Sequence, residues 1–192
     1  VDLTITPQDV SISNVRQILF AGGKWVGNYI SPELEVPEAH RAVLMQVGAY
    51  ARDHGHVADE GINCGIDYFV SGDEVIVTEI NARWTGGLFP AEFLRRLAIT
   101  QPAVAFFDMV PVAQSKAVQT FQREHLFPAA GDAFAYVPMG FTPFAMEIEG
   151  AERYFVWQIV VGDFAAFVEA KSQALPEDAF PTADLILQEA LS

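Results

Sequence analysis

The chain has 192 residues, of which 51% are hydrophobic, so it can bury a sizeable core in one or two compact domains. Its formal net charge of −14 argues against nucleic-acid binding, which needs a basic stripe, but says little about fold. No run of eighteen apolar residues exists, which excludes a transmembrane helix, and the single cysteine, Cys64, excludes an internal disulfide and fits a reducing, cytoplasmic compartment.

The start, VDLTITPQDV, lacks a methionine and a basic-then-apolar leader pattern, and is expected to be an internal cut or a trimmed start. Residues 14–30 read as two strands about an Ala21-Gly22-Gly23-Lys24 turn. The Gly-Gly-Lys run fails as a phosphate-binding P-loop. Ile18 stands where the first glycine belongs, and Trp25 where serine or threonine belongs. Lys24 is therefore expected to be a solvated turn residue. Arg16 and Gln17 point to opposite faces, and one of them is expected to face a cleft.

Residues 37–54 predict the clearest helix, with Pro37 in the first turn and Glu38 at the positive end. Ala39, Val43, Val47, Tyr50 and Ala51 recur at helical spacing and predict its buried stripe, and Gly55 ends it. His54 and His56 resemble a metal pair but have no third ligand within reach by sequence. They, with His40 and His125, are expected to be surface histidines. Cys64 is expected to be a small buried residue, not a nucleophile.

The stretch from Gly65 to Pro90 carries the chemistry. Ile66–Val70 and Val75–Ile80 are β-rich runs flanking a polar Ser71-Gly72-Asp73-Glu74 turn, which predicts a hairpin centred near Asp73. Alternation then places Asp67, Val77, Glu79, Asn81 and Arg83 on one face, and Ile66, Tyr68, Val70, Ile76 and Ile80 on a core face. If Asp67 pairs directly with Glu79, their Cβ atoms lie about 5 Å apart. A slip of one residue would set Asp67 against Thr78 and break the arrangement. Two carboxylates so close need a shared proton, an arginine or a divalent cation between them. Oxygen donors with an amide favour Mg²⁺ or Mn²⁺. Arg83 is placed to meet a phosphate or a developing oxyanion. Gly86 and Gly87 let backbone approach an anion, and Pro90 is the expected first residue of a helix over 91–98.

Asp67, followed twelve residues later by Glu79-Ile80-Asn81-Ala82-Arg83, resembles the metal-binding signature of the ATP-grasp superfamily. In that family an acidic residue on one strand precedes E-[IVM]-N-x-R on the next. The resemblance implies that Asp67, Glu79 and Asn81 ligate two Mg²⁺ ions with the ATP phosphates, Glu79 bridging them. It implies that Arg83 holds an acyl-phosphate or its leaving phosphate, the catalytic role here. Ala82 stands where many members have proline. Gly86 and Gly87 suit the loop that meets the nucleotide and substrate. The order strand pair, helix, hairpin, glycine loop, helix is that of an ATP-grasp C-terminal subdomain.

The resemblance covers roughly residues 10–100. It implies a missing N-terminal part, with a lid whose lysines and backbone clasp adenine and phosphates. Residues 101–192 read less clearly. Helices are expected over 114–126, 163–174 and 181–191, and strands over 133–138, 144–149 and 154–161. The segment YVPMGFTPF has two prolines that bar a central strand position, and is expected to pack as a loop or to line a cleft.

The expected fold is thus α+β. A metal-binding subdomain over 1–100, an antiparallel sheet with packed helices, is followed by a small α+β extension over 101–192. The expected activity is part of an ATP-dependent ligase joining a small-molecule or peptide carboxylate to an amine, with no membrane partner. Two other readings are a degenerate ATP-grasp-like module that binds without turnover, and a metal-dependent hydrolase using the same carboxylates.

Overall fold

A computed structural model describes residues 1–72, 74–128, 132–148 and 150–191. The expected turn centre, Asp73, and the end of the expected 144–149 strand, Glu149, lie outside the described residues. The chain folds as α+β, and among the described residues the strands of its two sheets pair antiparallel. It divides into two compact units: Val1–Arg16 with Pro32–Ile99, and Gln17–Ser31 with Thr100–Ser192. The 17–31 hairpin therefore lies with the second half of the sequence, because it hydrogen-bonds to a strand there.

The first unit is built on a four-stranded sheet. Its strands are β1 (Asp2–Ile5), β2 (Val10–Asn14), β5 (Ile62–Ser71) and β6 (Glu74–Asn81), in the order β2-β1-β5-β6. The helix α1 (Glu38–Asp53) covers one face, and Leu3, Ile5, Val10, Leu44, Ala51, Cys64 and Ile66 are the buried centre of this core. The stripe of α1 turns further round than the sequence predicts. Leu44, Gly48 and Ala51 are buried, with Val47 packed beside them, while Ala39 and Tyr50 are exposed. The pivot is Gly48, where a Cβ would stand 2.5 Å from Val10 Cγ1 and 2.7 Å from Leu3 Cδ1. The absence of a side chain lets helix and sheet close together there. Tyr50 instead lies on the ring of His54, 4.0 Å between centroids.

The helix α2 (Leu88–Arg96) starts before Pro90, after Gly87. Proline is tolerated there because the first N–H groups of a helix have no partner within it.

The second unit holds β3 (Gln17–Ala21), β4 (Lys24–Ile30), β7 (Ala103–Pro111), β8 (Phe134–Phe141) and β10 (Ala151–Gly162). Their order is β3-β4-β7-β10-β8, and the short β9 (Met146–Ile148) also pairs with β10. Gly22 and Gly23 both take positive φ in the β3–β4 turn, which leaves Lys24 exposed. The helices α3 (Ser115–Glu124), α4 (Phe164–Ala174) and α5 (Pro181–Leu185) supply the rest of the core. Phe106, Tyr136, Phe167, Phe180 and Ile186 are fully buried in it. The Asp163 carboxylate caps α4 by accepting from the Ala166 N–H at 3.0 Å. β8 runs through Pro138 as the end strand of its sheet, a position that tolerates a residue without N–H.

Candidate functional site

The β5–β6 hairpin pairs in the expected register: Asp67 stands opposite Glu79, Ile66 opposite Ile80 and Gly65 opposite Asn81. Beyond Asp67 a β-bulge intervenes, so that Tyr68 meets Val77 and Thr78 is the extra residue. This corrects the expected alternation. Val77 moves to the core face, where it packs with Tyr68 against the apolar cluster, and Ile76, opposite Phe69, is exposed. Ile80 and Val70 are exposed too, on a hairpin whose outer strand, β6, is the edge of the sheet.

The bulge leaves the acidic pair intact. Asp67 is half-buried, Glu79 exposed and Asn81 buried. The Asn81 Nδ2 donates to Asp67 Oδ2 at 3.5 Å, a long contact that places the amide beside the carboxylate. Burial pushes the Asp67 carboxyl above its ordinary range; the Val1 ammonium opposes the rise, Glu79 adds to it, and Arg16 opposes it more weakly. Arg83 is exposed and its Nη1 donates to the Trp84 carbonyl at 3.2 Å. Its own N–H donates to the Asn81 carbonyl at 2.7 Å, which turns the chain sharply as it leaves β6. Gly86 is exposed, Gly87 half-buried and directly before α2.

Among the described residues, no three His, Cys, Asp or Glu side chains gather into a metal-holding group. A cation at this hairpin would have two carboxylates and the Asn81 amide as protein donors. That oxygen-only set fits a hard divalent ion that keeps water or phosphate as its other ligands.

One set of residues around the site was not legible in the sequence. Asp2, fully buried, forms an ion pair with Arg16, whose side chain is 7% exposed. Thr85 bridges them: Arg16 Nη2 donates to Thr85 Oγ1 at 3.1 Å, and that hydroxyl donates to Asp2 Oδ1 at 3.2 Å. Of the two neighbours Arg16 and Gln17, it is therefore Arg16 that turns inward in the first unit, while Gln17 is exposed. An aspartate in a short strand and an arginine in a loop carry no spacing that would link them to Thr85, eighty-three residues from Asp2.

The histidines have local contacts. His54 Nδ1 lies 2.8 Å from the Tyr50 carbonyl, and His56 Nε2 lies 2.8 Å from the Asn63 carbonyl. Cys64 is fully buried, and burial pushes its thiol up, away from the reactive thiolate. Among the described residues, no helix is long and apolar enough to cross a membrane.

No protein-family model matches the sequence, and no curated protein does. Solved structures do resemble it in arrangement. The N5-carboxyaminoimidazole synthase from Aspergillus clavatus, in complex with ADP and 5-aminoimidazole ribonucleotide, is 15% identical with a TM-score of 0.46 over 97% of this chain and 50% of its own. The carboxyaminoimidazole ribonucleotide synthase from the same organism, complexed with ATP, is 16% identical with a TM-score of 0.47 over 97% of this chain and 49% of its own. The phosphoribosylaminoimidazole carboxylase ATPase subunit from Aquifex aeolicus is 11% identical with a TM-score of 0.46 over 90% of this chain and 53% of its own. The chain thus spans about half the length of these structures.

Proposed function

We propose that this chain is the metal- and phosphate-binding part of an ATP-dependent ligase that joins a carboxylate to an amine. The observation that carries the reading is the direct pairing of Asp67 with Glu79, with the Asn81 amide beside Asp67 and Arg83 two residues further on. Two carboxylates held together by backbone register, with no ion pair from either to an arginine among the described residues, are suited to a positive ion. Asp67, Glu79 and Asn81 would hold Mg²⁺ or Mn²⁺, which when bound neutralises charge on the phosphate oxygens of ATP.

The chain's own residues then have distinct tasks. Asp67 and Asn81 are the fixed members, since each is at least partly buried and the amide lies against the carboxylate. Glu79, exposed on the edge strand, is free to adjust its carboxylate to the ion. Arg83, also exposed, supplies a planar cation for the transferring phosphoryl group. Gly86 and Gly87, ahead of α2, bring backbone N–H groups toward negative charge. Phosphorylation of the acid by ATP and attack of the amine on the acyl-phosphate require no side-chain nucleophile. The remaining parts of an ATP clasp would come from protein outside these residues.

The reading is tested by Glu79→Ala in the intact enzyme. Loss of acid- and amine-dependent ADP release is expected; near-wild-type release sinks the assignment. Hydrolysis of substrate with no ATP present would instead favour a metal-dependent hydrolase.

A further inference from the structure

The Arg16 guanidinium is spent inside the protein. Its Nη1 pairs with Asp2, its Nη2 donates to Thr85 Oγ1 at 3.1 Å, and its Nε faces Gly87, where a Cβ would stand only 2.5 Å away. No part of this group is presented as a ligand. It serves instead as a flat surface on which the loop from Thr85 to Gly87 rests. The other side of that loop is also fixed. Thr85 Cγ2 occupies the space that a Cβ on Gly65 would fill, at 2.2 Å, and the same Cβ would meet Asp2 Oδ1 at 3.4 Å and Asn81 Cβ at 3.5 Å. Gly65 is the cross-strand partner of Asp2 on β1 and of Asn81 on β6. Asp2, Arg16, Thr85, Gly65 and Asn81 therefore meet at one point, and the Arg83 N–H returns to the Asn81 carbonyl at 2.7 Å within the same stretch.

We propose that Asp2 and Arg16 are positioning residues for the candidate site. Through the Thr85 hydroxyl they hold the Arg83–Gly87 loop against Asn81, and so fix where the amide ligand and the glycine backbone stand relative to Asp67 and Glu79. The proposal rests on the metal-binding reading of that hairpin. Its physical basis is that a buried, mutually neutralising ion pair has few acceptable geometries. A hydroxyl that both accepts from the guanidinium and donates to the carboxylate is locked by both. Arg16 acts through the loop by its hydrogen bond to Thr85, and its charge also reaches Asp67.

The test uses the whole chain and Mn²⁺ alone as probe, followed by electron paramagnetic resonance, together with amide hydrogen exchange of residues 83–88. Removing Arg16 or Asp2 would strand a buried charge and risk unfolding, so the decisive variants are Thr85→Val, which keeps shape but loses the hydroxyl, and Thr85→Ser, which keeps the hydroxyl. Thr85→Val is expected to weaken Mn²⁺ binding roughly tenfold, in the range seen when outer-shell partners of ligands are lost. It should also speed exchange in the loop while the β1–β5 amides stay protected. Thr85→Ser should return Mn²⁺ binding to within about twofold of wild type on the same principle. Equal weakening by both variants, or wild-type binding and exchange in Thr85→Val, overturns the proposal. Failure of the wild-type chain to take up Mn²⁺ defeats the metal reading and, with it, the positioning role. Loop exchange in Thr85→Val then reports only whether the anchor itself exists.

Discussion

Asp67 in the first unit and Asp108 in the second are both aspartates on sheet strands, and burial pushes both carboxyls up. What surrounds them differs. Asp108 is 3% exposed and each of its oxygens meets a backbone N–H: Met109 at 2.9 Å and Thr182 at 3.0 Å. Lys171 from α4 adds its charge from nearby, itself paired with Asp184 and donating to the Phe180 carbonyl at 3.4 Å. Asp108 thus ties the start of α5 to the middle of β7. Asp67 is half-buried, faces a second carboxylate across the strands, and has an amide at 3.5 Å beside it. A buried carboxylate whose oxygens are met by backbone donors is a structural joint. A partly open one set against its own kind is the arrangement on which the proposed cation site rests. The same burial effect reads as fold in one unit and as candidate chemistry in the other, and the partners make the difference.

The comparison breaks first at Glu79. If the open pair is a cation site, Glu79→Ala in the complete enzyme should lower ADP release by roughly 100-fold or more, as expected for loss of a group that stabilises transferring charge. A steady-state ADP assay with acid and amine present decides it, and a change under about threefold would make the pair a solvated hairpin face like any other.

Next comes the pH dependence of the second unit. The Asp108 carboxyl is pushed up to about 7 from an ordinary value of 3.8, with desolvation the largest cause. Between those two values the folded protein holds a proton that the unfolded chain has released. The stability contributed by Asp108 is therefore fully present below about pH 4 and is lost as pH rises through about 7. At ~1.4 kcal/mol for each pKa unit, the loss is up to ~4 kcal/mol. Asp108→Asn keeps an oxygen to accept from Thr182 and cannot ionise. Its melting temperature should fall less than that of wild type between pH 5 and pH 8. Parallel pH dependence in the two proteins would show that Asp108 does not hold a proton in the fold across this range.

A smaller effect is expected at Gly48 in the first unit, where helix and sheet meet without a side chain. Gly48→Ala must push Val10 and Leu3 aside and should destabilise by about 1–3 kcal/mol, less any gain in helix propensity. Urea unfolding measures it, and a stabilised variant would show that α1 has slack against the sheet. The smallest effect belongs to Lys24, exposed after the two glycines of the β3–β4 turn. Lys24→Ala should change stability by no more than about 0.5 kcal/mol, read from the same titration.

Much of the site's frame was legible because it is local. A run of alternating residues, a polar turn and a second run place Asp67 opposite Glu79, and the structure has that pairing. The helix expected over 37–54 is observed as Glu38–Asp53, and the strands around Gly22 and Gly23 are observed as Gln17–Ala21 and Lys24–Ile30. The bulge at Thr78 was not legible, since one extra residue in a strand leaves the pattern of residue types almost unchanged while it reverses the face of Val77. The strand β7, AVAFFDMVP, is apolar throughout except for Asp108. Its aspartate gains meaning only once Thr182, seventy-four residues on, is brought to it.

The residue types and their spacing determined by themselves that the chain carries two acids, an amide and an arginine along one hairpin. They also determined that a helix and glycine turns flank it, because these depend on neighbours a few positions apart. Only the tertiary structure decided that the 17–31 hairpin joins the second unit, that Asp108 caps α5, and that Asp2 and Arg16 meet under Thr85. Those contacts join residues far apart in the chain. Their energy comes from burying charge and polar groups in mutual contact, and no periodicity records which distant partner will satisfy them.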